Sequence, residues 1–393
     1  MSLAAHANVY GDVVVTAPVT IPYVRYSIRA AHWFAARALA ALLQASGLRK
    51  DQVDGLCLGS FMLAPDTTVG LMQHLGLSAR WLDHLPIGGM SGIAALRRAL
   101  RAVQCGDAEV VACIGADTNH VDSFRMSLGS FSVFARDAVF PYGSGGPNAS
   151  FAFLTSYYMR NFGATAQDFG KLCVAQRQNA LTFPHAVFKK PLSMEEYLTA
   201  RPIADPLRLF DCVMPCAGAE GFLVMSRRRA ESLGLPYARV LSASERYNAF
   251  SDDPIQMRGG WVLDRERLYA DAGIEPADID LVQTYDDYPV MSLIQLEDLG
   301  FCAKGEGPDF VRRNTFTNDG TFPLNTSGGQ LSVGQAGCAG GFLGLVEAIR
   351  QVTGQNLARA VPDARIALAL GFGMITYDRG LCSGAAVLSR SDI

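Results

Sequence analysis

The strongest candidates for chemistry in this chain are four consecutive polar residues in "TYDDYP". Tyr285 to Tyr288 directly follow an apolar stretch that predicts a buried strand. Ligands of parallel α/β sheets collect at the carboxyl ends of strands, so these side chains are well placed for catalysis. A tyrosine there can transfer protons if its neighbours shift its pKa. The plainer interpretation is that Asp286 or Asp287 caps a helix that begins near Pro289.

A second candidate region is the densest glycine cluster, "NTSGGQLSVGQAGCAGG" at 325–341, which leads into a predicted helix at about Gly341. Glycines allow positive φ and a close approach of ligand to backbone, and the free N–H groups of a helix start can hold an oxyanion. We therefore favour a ligand site here over a tight crossover that binds nothing. The candidate site residues of this segment are Asn325, Gly334, Gln335 and Cys338.

A third region, "LPIGGMSGIAALRRAL" at 85–100, is a glycine-rich turn that enters a helix at Ser91. The stretch contains no Cys, His, Asp or Glu, so it has the form of an active-site turn without its nucleophile. Gly89 and Ser91 are its candidate site residues.

Other motifs carry weaker signals. His84 and His185 are paired with no candidate nucleophile and are interpreted as structural. The cations of "FKKP" at 188–191 fit either the phosphates of a nucleotide-like cofactor or a solvated surface, and both interpretations stay open. Cys212 and Cys216 lack a second Cys/His pair nearby, so we predict no metal site.

The composition predicts a soluble globular protein, long enough for two domain-sized halves, rather than a nucleic-acid or membrane protein. The chain has 393 residues, 49% hydrophobic and 18% charged, with a net charge of -3. It has no basic block interleaved with aromatic residues, and we expect no nucleic-acid partner. The apolar runs are too short for a membrane span, and no secretion signal opens the sequence. We therefore expect a cytoplasmic protein whose nine cysteines are mostly reduced.

Strand-like and helix-like segments alternate along the chain, which predicts an α/β fold with largely parallel sheets. The predicted strands are 54–60, 109–117, 221–226, 238–247, 279–288, 364–373 and 384–389, and the clearest helices are 30–47 and 92–106. The order of glycine-rich turn, helix and strand occurs once in each half of the chain. We therefore predict two pseudo-repeated halves, 1–235 and 236–393, with residues 118–215 inserted as a lid over a substrate channel.

Four segments together resemble one family. They are "GMSGIAAL", "FKKPLS" at 188–193, "YDDYPVMSLIQLEDLGFCAKGEG" at 285–307 and "LNTSGGQLSVGQAGCAGGFLGLVEAIRQVTG" at 324–354. They resemble the thiolase superfamily, and within it the sterol-carrier-protein and lipid-transfer-protein types. The resemblance implies a five-layer αβαβα sandwich of two similar halves and a homodimer.

The sequence departs from the catalytic pattern of thiolases at each position that can be matched. Gly89 stands where the family has its nucleophilic Cys, Gln335 where a His activates that Cys, and Tyr285 where a His or Asn binds the thioester oxygen. The late Cys turn falls on 371–375, around Gly373, and no thiol remains there. Glycine offers no nucleophile and glutamine is no base at neutral pH, so a covalent thiolase mechanism is not expected.

The resemblance implies a reaction on a coenzyme A thioester, with no covalently bound cofactor. Family members without the Cys include aldolases that cleave β-hydroxyacyl-CoA in steroid side-chain degradation together with a zinc-ribbon/OB-fold partner. On that model Tyr285 transfers the proton, while Gln335 and backbone N–H groups near Gly89 and Gly373 hold the enolate. The further substrate or oxyanion candidates are Ser91, Asp287, Asn325, Gly334 and Cys338.

Two alternatives remain open at this level. The first is a catalytically silent subunit that binds acyl-CoA or lipid for a partner, because all four family groups are lost. The second is an acyltransferase that recruits Cys338, although a buried small thiol is the plainer interpretation of that residue. The related aldolases have a second tyrosine in the turn where this chain has Gln335, and this difference bears on the retro-aldol hypothesis.

Overall fold

The computed structural model describes residues 9–123, 132–143 and 146–393. Within these residues the strands are β1 (Val13–Val24), β2 (Gly55–Gly59), β3 (Trp81–His84), β4 (Val110–Thr118), β5 (Pro202–Ala204), β6 (Leu207–Arg208), β7 (Ala217–Ser226), β8 (Tyr237–Tyr247), β9 (Leu281–Gln283), β10 (Ile366–Thr376) and β11 (Arg379–Arg390). The helices are α1 (Ala31–Ser46), α2 (Thr68–Leu75), α3 (Ser91–Cys105), α4 (Val133–Val139), α5 (Pro147–Phe162), α6 (Ala166–Ala180), α7 (Met194–Thr199), α8 (Arg227–Ser232), α9 (Trp261–Ala272), α10 (Pro289–Asp298), α11 (Gly307–Arg313), α12 (Gly329–Val333) and α13 (Gly340–Thr353).

The main sheet repeats one strand order in the two halves of the chain. Across the described residues its order is β3-β2-β4-β7-β1-β8-β11-β10-β9. The run β2-β4-β7-β1 in the first half is matched by β9-β10-β11-β8 in the second, and β1 and β8 join the halves as an antiparallel pair. The repeated plan predicted from the sequence is therefore present in the sheet. The boundary between residues 235 and 236 stays a prediction about domain organisation; β8 begins at Tyr237.

The prediction of largely parallel sheets was wrong. In the described chain, five of the eight pairings of the main sheet are antiparallel and three are parallel. The parallel pairs are β2 with β3, β2 with β4, and β9 with β10. Strands buried on both faces have the same continuous apolar pattern in either direction, so composition could not reveal the direction. The predicted strands also did not include β1 and β3, and the strand predicted at 279–288 is longer than the observed β9, Leu281–Gln283.

Three hydrophobic clusters define the layers. One cluster packs α1 and α2 against the first-half strands, and a second packs α9 and α10 against the second-half strands. The third lies between the two halves, where Ile93 and Leu96 of α3 meet Leu345 and Ile349 of α13. The order of layers is therefore helices, first-half strands, α3 with α13, second-half strands, helices, the two strand layers being the two halves of the one main sheet. Because α3 and α13 are central, the glycine-rich segments that lead into them lie side by side. We call the segment that leads into α3 the first glycine-rich turn and the segment that leads into α13 the second. A Cβ on Gly341 would be 2.5 Å from the carbonyl oxygen of Gly88.

Residues 118–215 connect β4 to β7 and contain α4 to α7 and the β5–β6 hairpin. This segment contacts the second half of the chain. Arg177 of α6 donates a hydrogen bond to the hydroxyl of Ser332 in α12 at 3.1 Å. The insertion is therefore attached to the second glycine-rich turn, and its function as a lid stays a prediction.

Candidate functional site

A cavity of about 910 Å³ opens where the two glycine-rich turns, the 285–288 loop and the insertion meet. Its wall is largely apolar and includes Phe61, Phe140, Ile203, Phe210 and Met374. Polar groups that line it include Arg25, Asn148, Arg201, Asp287 and Gln335. An apolar cavity with a few convergent polar groups is the usual form of a small-molecule site.

The structure brings five of the nine sequence-predicted site residues to this cavity. These are Gly89, Tyr285, Asp287, Gln335 and Gly373. The other four do not line the cavity among the described residues and lie behind its wall. They are Ser91, Asn325, Gly334 and Cys338.

Tyr285 and Gln335 form a hydrogen-bonded pair at the cavity wall. The side-chain Nε2 of Gln335 donates to the hydroxyl oxygen of Tyr285 at 3.1 Å. The side chain of Gln295 in α10 fixes the backbone of Tyr285, because its Oε1 accepts from the N–H at 2.9 Å and its Nε2 donates to the carbonyl at 2.8 Å. Since Gln335 occupies one lone pair of the phenol oxygen, the phenol proton of Tyr285 can be donated to a ligand.

Backbone contacts between the insertion and the second glycine-rich turn place Gln335. Its N–H donates to the carbonyl of Met214 at 2.8 Å, and its carbonyl accepts from the N–H of Cys216 at 3.0 Å. Gly334 precedes it with a φ of 116°, a conformation that side-chain-bearing residues rarely adopt. The role of Gly334 in the structure is thus to turn the chain toward the cavity.

The ring of Tyr285 occupies the space that a side chain at Gly89 would need. A Cβ built on Gly89 would lie 2.1 Å from Cε2 and Cζ of Tyr285 and 2.1 Å from the carbonyl oxygen of Phe372. Gly373 lies against the same turn, since its Cβ would be 3.0 Å from the backbone nitrogen of Gly89. The first turn therefore has room for backbone and the tyrosine ring, and none for a nucleophilic side chain at residue 89.

Burial controls the protonation of the site. It raises the pKa of the Tyr285 phenol well above its usual range, Asp287 raises it further, and the Gln335 hydrogen bond opposes the shift. Burial, reinforced by Asp286, also raises the pKa of the Asp287 carboxyl well above its usual range. At neutral pH Tyr285 is therefore a neutral phenol, which can donate a hydrogen bond and cannot act as a strong base.

The two adjacent aspartates have different environments. Asp286 accepts hydrogen bonds from the N–H groups of Gln330 at 2.9 Å and Leu331 at 3.2 Å, and burial raises its pKa to about 7. It caps α12, so the expectation that one of the aspartates caps the helix beginning at Pro289 was wrong; Tyr288 is at that N-cap, without a side-chain cap. Asp287 lines the cavity instead.

Ser91 and Asn325 shape the turns rather than the cavity surface. The hydroxyl of Ser91 donates to the carbonyl of Leu85 at 2.7 Å and accepts from the N–H of Ile87 at 3.3 Å. Asn325 has a φ of 47°, and its Nδ2 donates to the hydroxyl of Thr284 at 3.1 Å. The Ser91 side chain thus fixes the backbone before Gly88, and the Asn325 side chain holds the side chain of Thr284, the residue before Tyr285.

Cys338 is buried at 0% exposure, and burial raises the pKa of its thiol well above the usual range. Its N–H donates to Oδ2 of Asp117 at 2.7 Å. A thiol with a raised pKa carries little thiolate at neutral pH, which is unfavourable for a nucleophile.

Asp117, at the end of β4, was not identified from the sequence. Its carboxylate accepts from the hydroxyl of Ser60 at 2.7 Å and from the N–H groups of Phe61 at 3.0 Å, Met62 at 2.9 Å and Cys338 at 2.7 Å. Burial raises its pKa to about 6. This one side chain joins the loop after β2, which lines the cavity, to the second glycine-rich turn. Its position at a predicted strand end was the available signal.

We predict that Asp117→Ala lowers the free energy of unfolding by about 2–4 kcal/mol, because it leaves several buried donors without an acceptor. Urea denaturation followed by circular dichroism measures the change. Asp66→Ala, at an exposed position, is the matched control and is expected to change stability by less than about 0.5 kcal/mol. Equal stability of the two variants would contradict the bridging role of Asp117.

Two further polar residues line the cavity: Tyr288, which was singled out in the sequence with its neighbours, and Asn148, which was not. The hydroxyl of Tyr288 donates to Oδ1 of Asn148 at 2.6 Å, and its ring stacks on Phe151 with centroids 4.3 Å apart. Tyr288 was one of the four consecutive polar residues at 285–288, and its position at the end of a predicted strand indicated a place in the site. Asn148 comes from the insertion, and no local pattern marked it.

The remaining motifs have structural environments. Nζ of Lys189 donates to the carbonyls of Phe183 and Pro184 at 2.9 and 2.8 Å, which indicates a turn-stabilising role. His84 contacts the carbonyl of Ser60 at 3.0 Å. Among the described residues, no group of three or more His, Cys, Asp or Glu could hold a metal ion. The helices in the same part of the chain include none with the length and apolar character of a membrane span.

Comparison with known proteins identifies the family. Residues 254–386 match the family model of the thiolase C-terminal domain. The steroid side-chain-cleaving aldolase of Thermomonospora curvata is 31% identical over 89% of this chain and 92% of that protein. The 17-hydroxy-3-oxo-4-pregnene-20-carboxyl-CoA lyase of Mycobacterium tuberculosis is 31% identical over 87% and 92%. The solved structure of an Ltp2-ChsH2(DUF35) aldolase aligns with a TM-score of 0.82 at 26% identity, over 96% of this chain and 98% of that one.

The chain belongs to the thiolase superfamily, and sterol carrier protein 2 is a more distant relative. The resemblance inferred from the sequence motifs and the α/β fold that it implied are confirmed.

Proposed function

We propose that this protein is a lyase that cleaves a β-hydroxyacyl-CoA thioester by a retro-aldol reaction. The observation that carries the proposal concerns the glycine-rich turn before α3. There, the ring of Tyr285 fills the space that a side chain at residue 89 would need. An acyl-enzyme on residue 89 is thereby excluded, while a retro-aldol reaction needs no acyl-enzyme. It needs a donor for the thioester oxygen, on which negative charge develops, and an acceptor for the hydroxyl proton.

Tyr285 supplies the donor in this proposal. Its neutral phenol, held by Gln335 at 3.1 Å, donates to the thioester oxygen as the enolate forms. The backbone of Gly89 and Gly373 beside it adds a second polar surface for the same oxygen. A fixed donor in a buried site stabilises a developing oxyanion more strongly than water does.

The cavity supports a bulky acyl group as the substrate. Its volume of about 910 Å³ and its apolar wall suit a polycyclic chain, in agreement with the steroid substrates that the names of two relatives state. We further propose a partner protein of the DUF35, zinc-ribbon/OB-fold type, because a similar aldolase was solved as an Ltp2-ChsH2(DUF35) complex. Homodimer formation remains a prediction from the family resemblance, and a cytoplasmic location remains a prediction from the composition of the sequence.

The test is direct assay of cleavage. The purified protein is incubated with 17-hydroxy-3-oxo-4-pregnene-20-carboxyl-CoA, alone and with a DUF35-type protein, and the products are followed by mass spectrometry. We expect the C17–C20 bond to break into a 17-ketosteroid and propionyl-CoA. Tight binding of the thioester without any cleavage under either condition would instead favour the silent-subunit hypothesis.

Cys338 serves as a test of the acyltransferase alternative. We predict that Cys338→Ala retains lyase kcat within about threefold, because the thiol is buried behind the wall and keeps its proton. Steady-state kinetics with the same thioester measure this. Loss of more than about 100-fold in an otherwise folded variant, together with an acyl-enzyme formed from this thioester and seen by mass spectrometry in the wild type, would establish Cys338 as a nucleophile.

A further inference from the structure

Asp287 is the acidic residue of the cavity to which the chemistry above gives no role. It is 6% exposed and lines the cavity. Its Oδ1 accepts a hydrogen bond from the N–H of Tyr288 at 3.1 Å, and none of the described basic side chains forms an ion pair with it. Buried carboxylates are normally paired with a cation, so a carboxyl group kept unpaired beside a cavity is available for a ligand.

The electrostatic environment of Asp287 favours a role as proton acceptor. The titratable groups that influence it or that it influences are Asp286, Tyr285, Tyr288 and Cys212. Each of them is an acid, and none contributes a positive charge that would stabilise the carboxylate. Asp286 is engaged at the start of α12, so Asp287 is the aspartate of this pair that remains available to a substrate.

Tyr285 cannot take the hydroxyl proton and donate to the thioester oxygen in the same step. Its phenol is protonated at neutral pH, and a protonated phenol is a donor. The reaction therefore needs a second group, and burial, which raises the pKa of the Asp287 carboxyl above its usual range, makes its carboxylate a stronger proton acceptor.

We propose that Asp287 is the general base of the retro-aldol reaction; this inference rests on the proposed function. The O–H bond of the β-hydroxyl breaks and its proton passes to the Asp287 carboxylate, while the oxygen electron pair forms the ketone. The Cα–Cβ bond breaks and its electron pair becomes the thioester enolate, held by Tyr285. The protonated Asp287 then returns the proton to Cα, so protons and electrons balance without an oxidant or a cofactor.

The experiment compares Asp287→Ala and Asp287→Asn with the wild type on 17-hydroxy-3-oxo-4-pregnene-20-carboxyl-CoA. We expect kcat to fall at least about 100-fold in both variants, with KM within about threefold, because substrate binding is retained. Added formate should restore Asp287→Ala at least about tenfold, since a small carboxylate can enter the vacated space and accept the proton. Tyr285→Phe, which keeps Asp287, should gain nothing from formate.

The outcomes separate this inference from the proposed function. If the wild type cleaves the thioester and kcat of Asp287→Asn is within about threefold of the wild-type value, the base assignment is overturned and the lyase proposal is unaffected. A folded Asp287→Ala variant that loses activity and shows no formate rescue also overturns the assignment, because the group then acts through structure or charge. No cleavage by the wild type overturns both. Thermal unfolding of each variant identifies loss of fold, and the isosteric Asn variant keeps the volume of the side chain.

Discussion

Tyr285→Phe is expected to lower kcat for β-hydroxyacyl-CoA cleavage by about 10²–10³, the usual cost of removing one oxyanion donor. The substitution removes the hydroxyl that Gln335 holds at 3.1 Å and keeps the ring that fills the space beside Gly89. The fold and KM should therefore change little while the transition state loses its donor. Steady-state kinetics and thermal unfolding measure the two quantities separately.

Tyr288→Phe is the matched control for this prediction. It removes a second tyrosine hydroxyl at the same cavity, one that is bonded to Asn148 at 2.6 Å. We expect a smaller loss, of about tenfold or less, because this hydroxyl already donates to a protein group. Equal losses in the two variants would show that any cavity hydroxyl matters as much as Tyr285 and would contradict its assignment as the oxyanion donor.

Gly89→Cys is expected to abolish lyase activity without creating a thiolase. The new Cβ would lie 2.1 Å from the Tyr285 ring and 2.1 Å from the backbone oxygen of Phe372, so both the ring and the strand must shift. Overpacking of a buried site costs about 1–3 kcal/mol of stability. Thermal unfolding measures this cost, and assays of retro-aldol cleavage and of acetyl transfer measure the two activities.

Gly70→Ala provides the control for adding a Cβ to a glycine, because its nearest contact would be an ordinary 3.8 Å from the hydroxyl of Thr67. It should keep full activity. A Gly89→Cys protein that is as stable as the wild type and forms an acetyl-enzyme would mean that the turn still accommodates a nucleophile. That result would refute the steric exclusion on which the proposed function depends.

The sequence predicted the fold well where the pattern is local. The glycine-rich turns, the helices that follow them and the repeated plan all agree with the structure, and α3 begins at Ser91 and α10 at Pro289 as predicted. Strand direction was predicted wrongly, and β1, the strand that joins the two halves, was left out. Strand direction and sheet order depend on which segments meet in three dimensions, and apolar periodicity carries no such information.

The candidate site, like the fold, was predictable only where the information is local in the sequence. A missing side chain at a family position is visible in the sequence, so Gly89, Gln335 and Tyr285 could be singled out by alignment to the motifs. That Ser91 lies behind the wall of the cavity, at 0% exposure, could not be predicted from its neighbours in the chain, whereas for Cys338, also at 0% exposure, a buried small thiol was already the plainer interpretation of the sequence. Burial of a single side chain is decided by packing between elements that are distant in sequence.

By itself, therefore, the sequence determined the superfamily, the repeated α/β plan and the absence of a thiolase nucleophile at Gly89. Only the tertiary structure decided what replaced it: the ring of Tyr285 fills that space, and Gln335 holds its hydroxyl. It also gave adjacent Asp286 and Asp287 separate tasks, one at a helix start and one at the cavity. The physical reason is that residue type and spacing encode local backbone needs and burial, whereas proton transfer depends on distances between atoms that long-range packing sets.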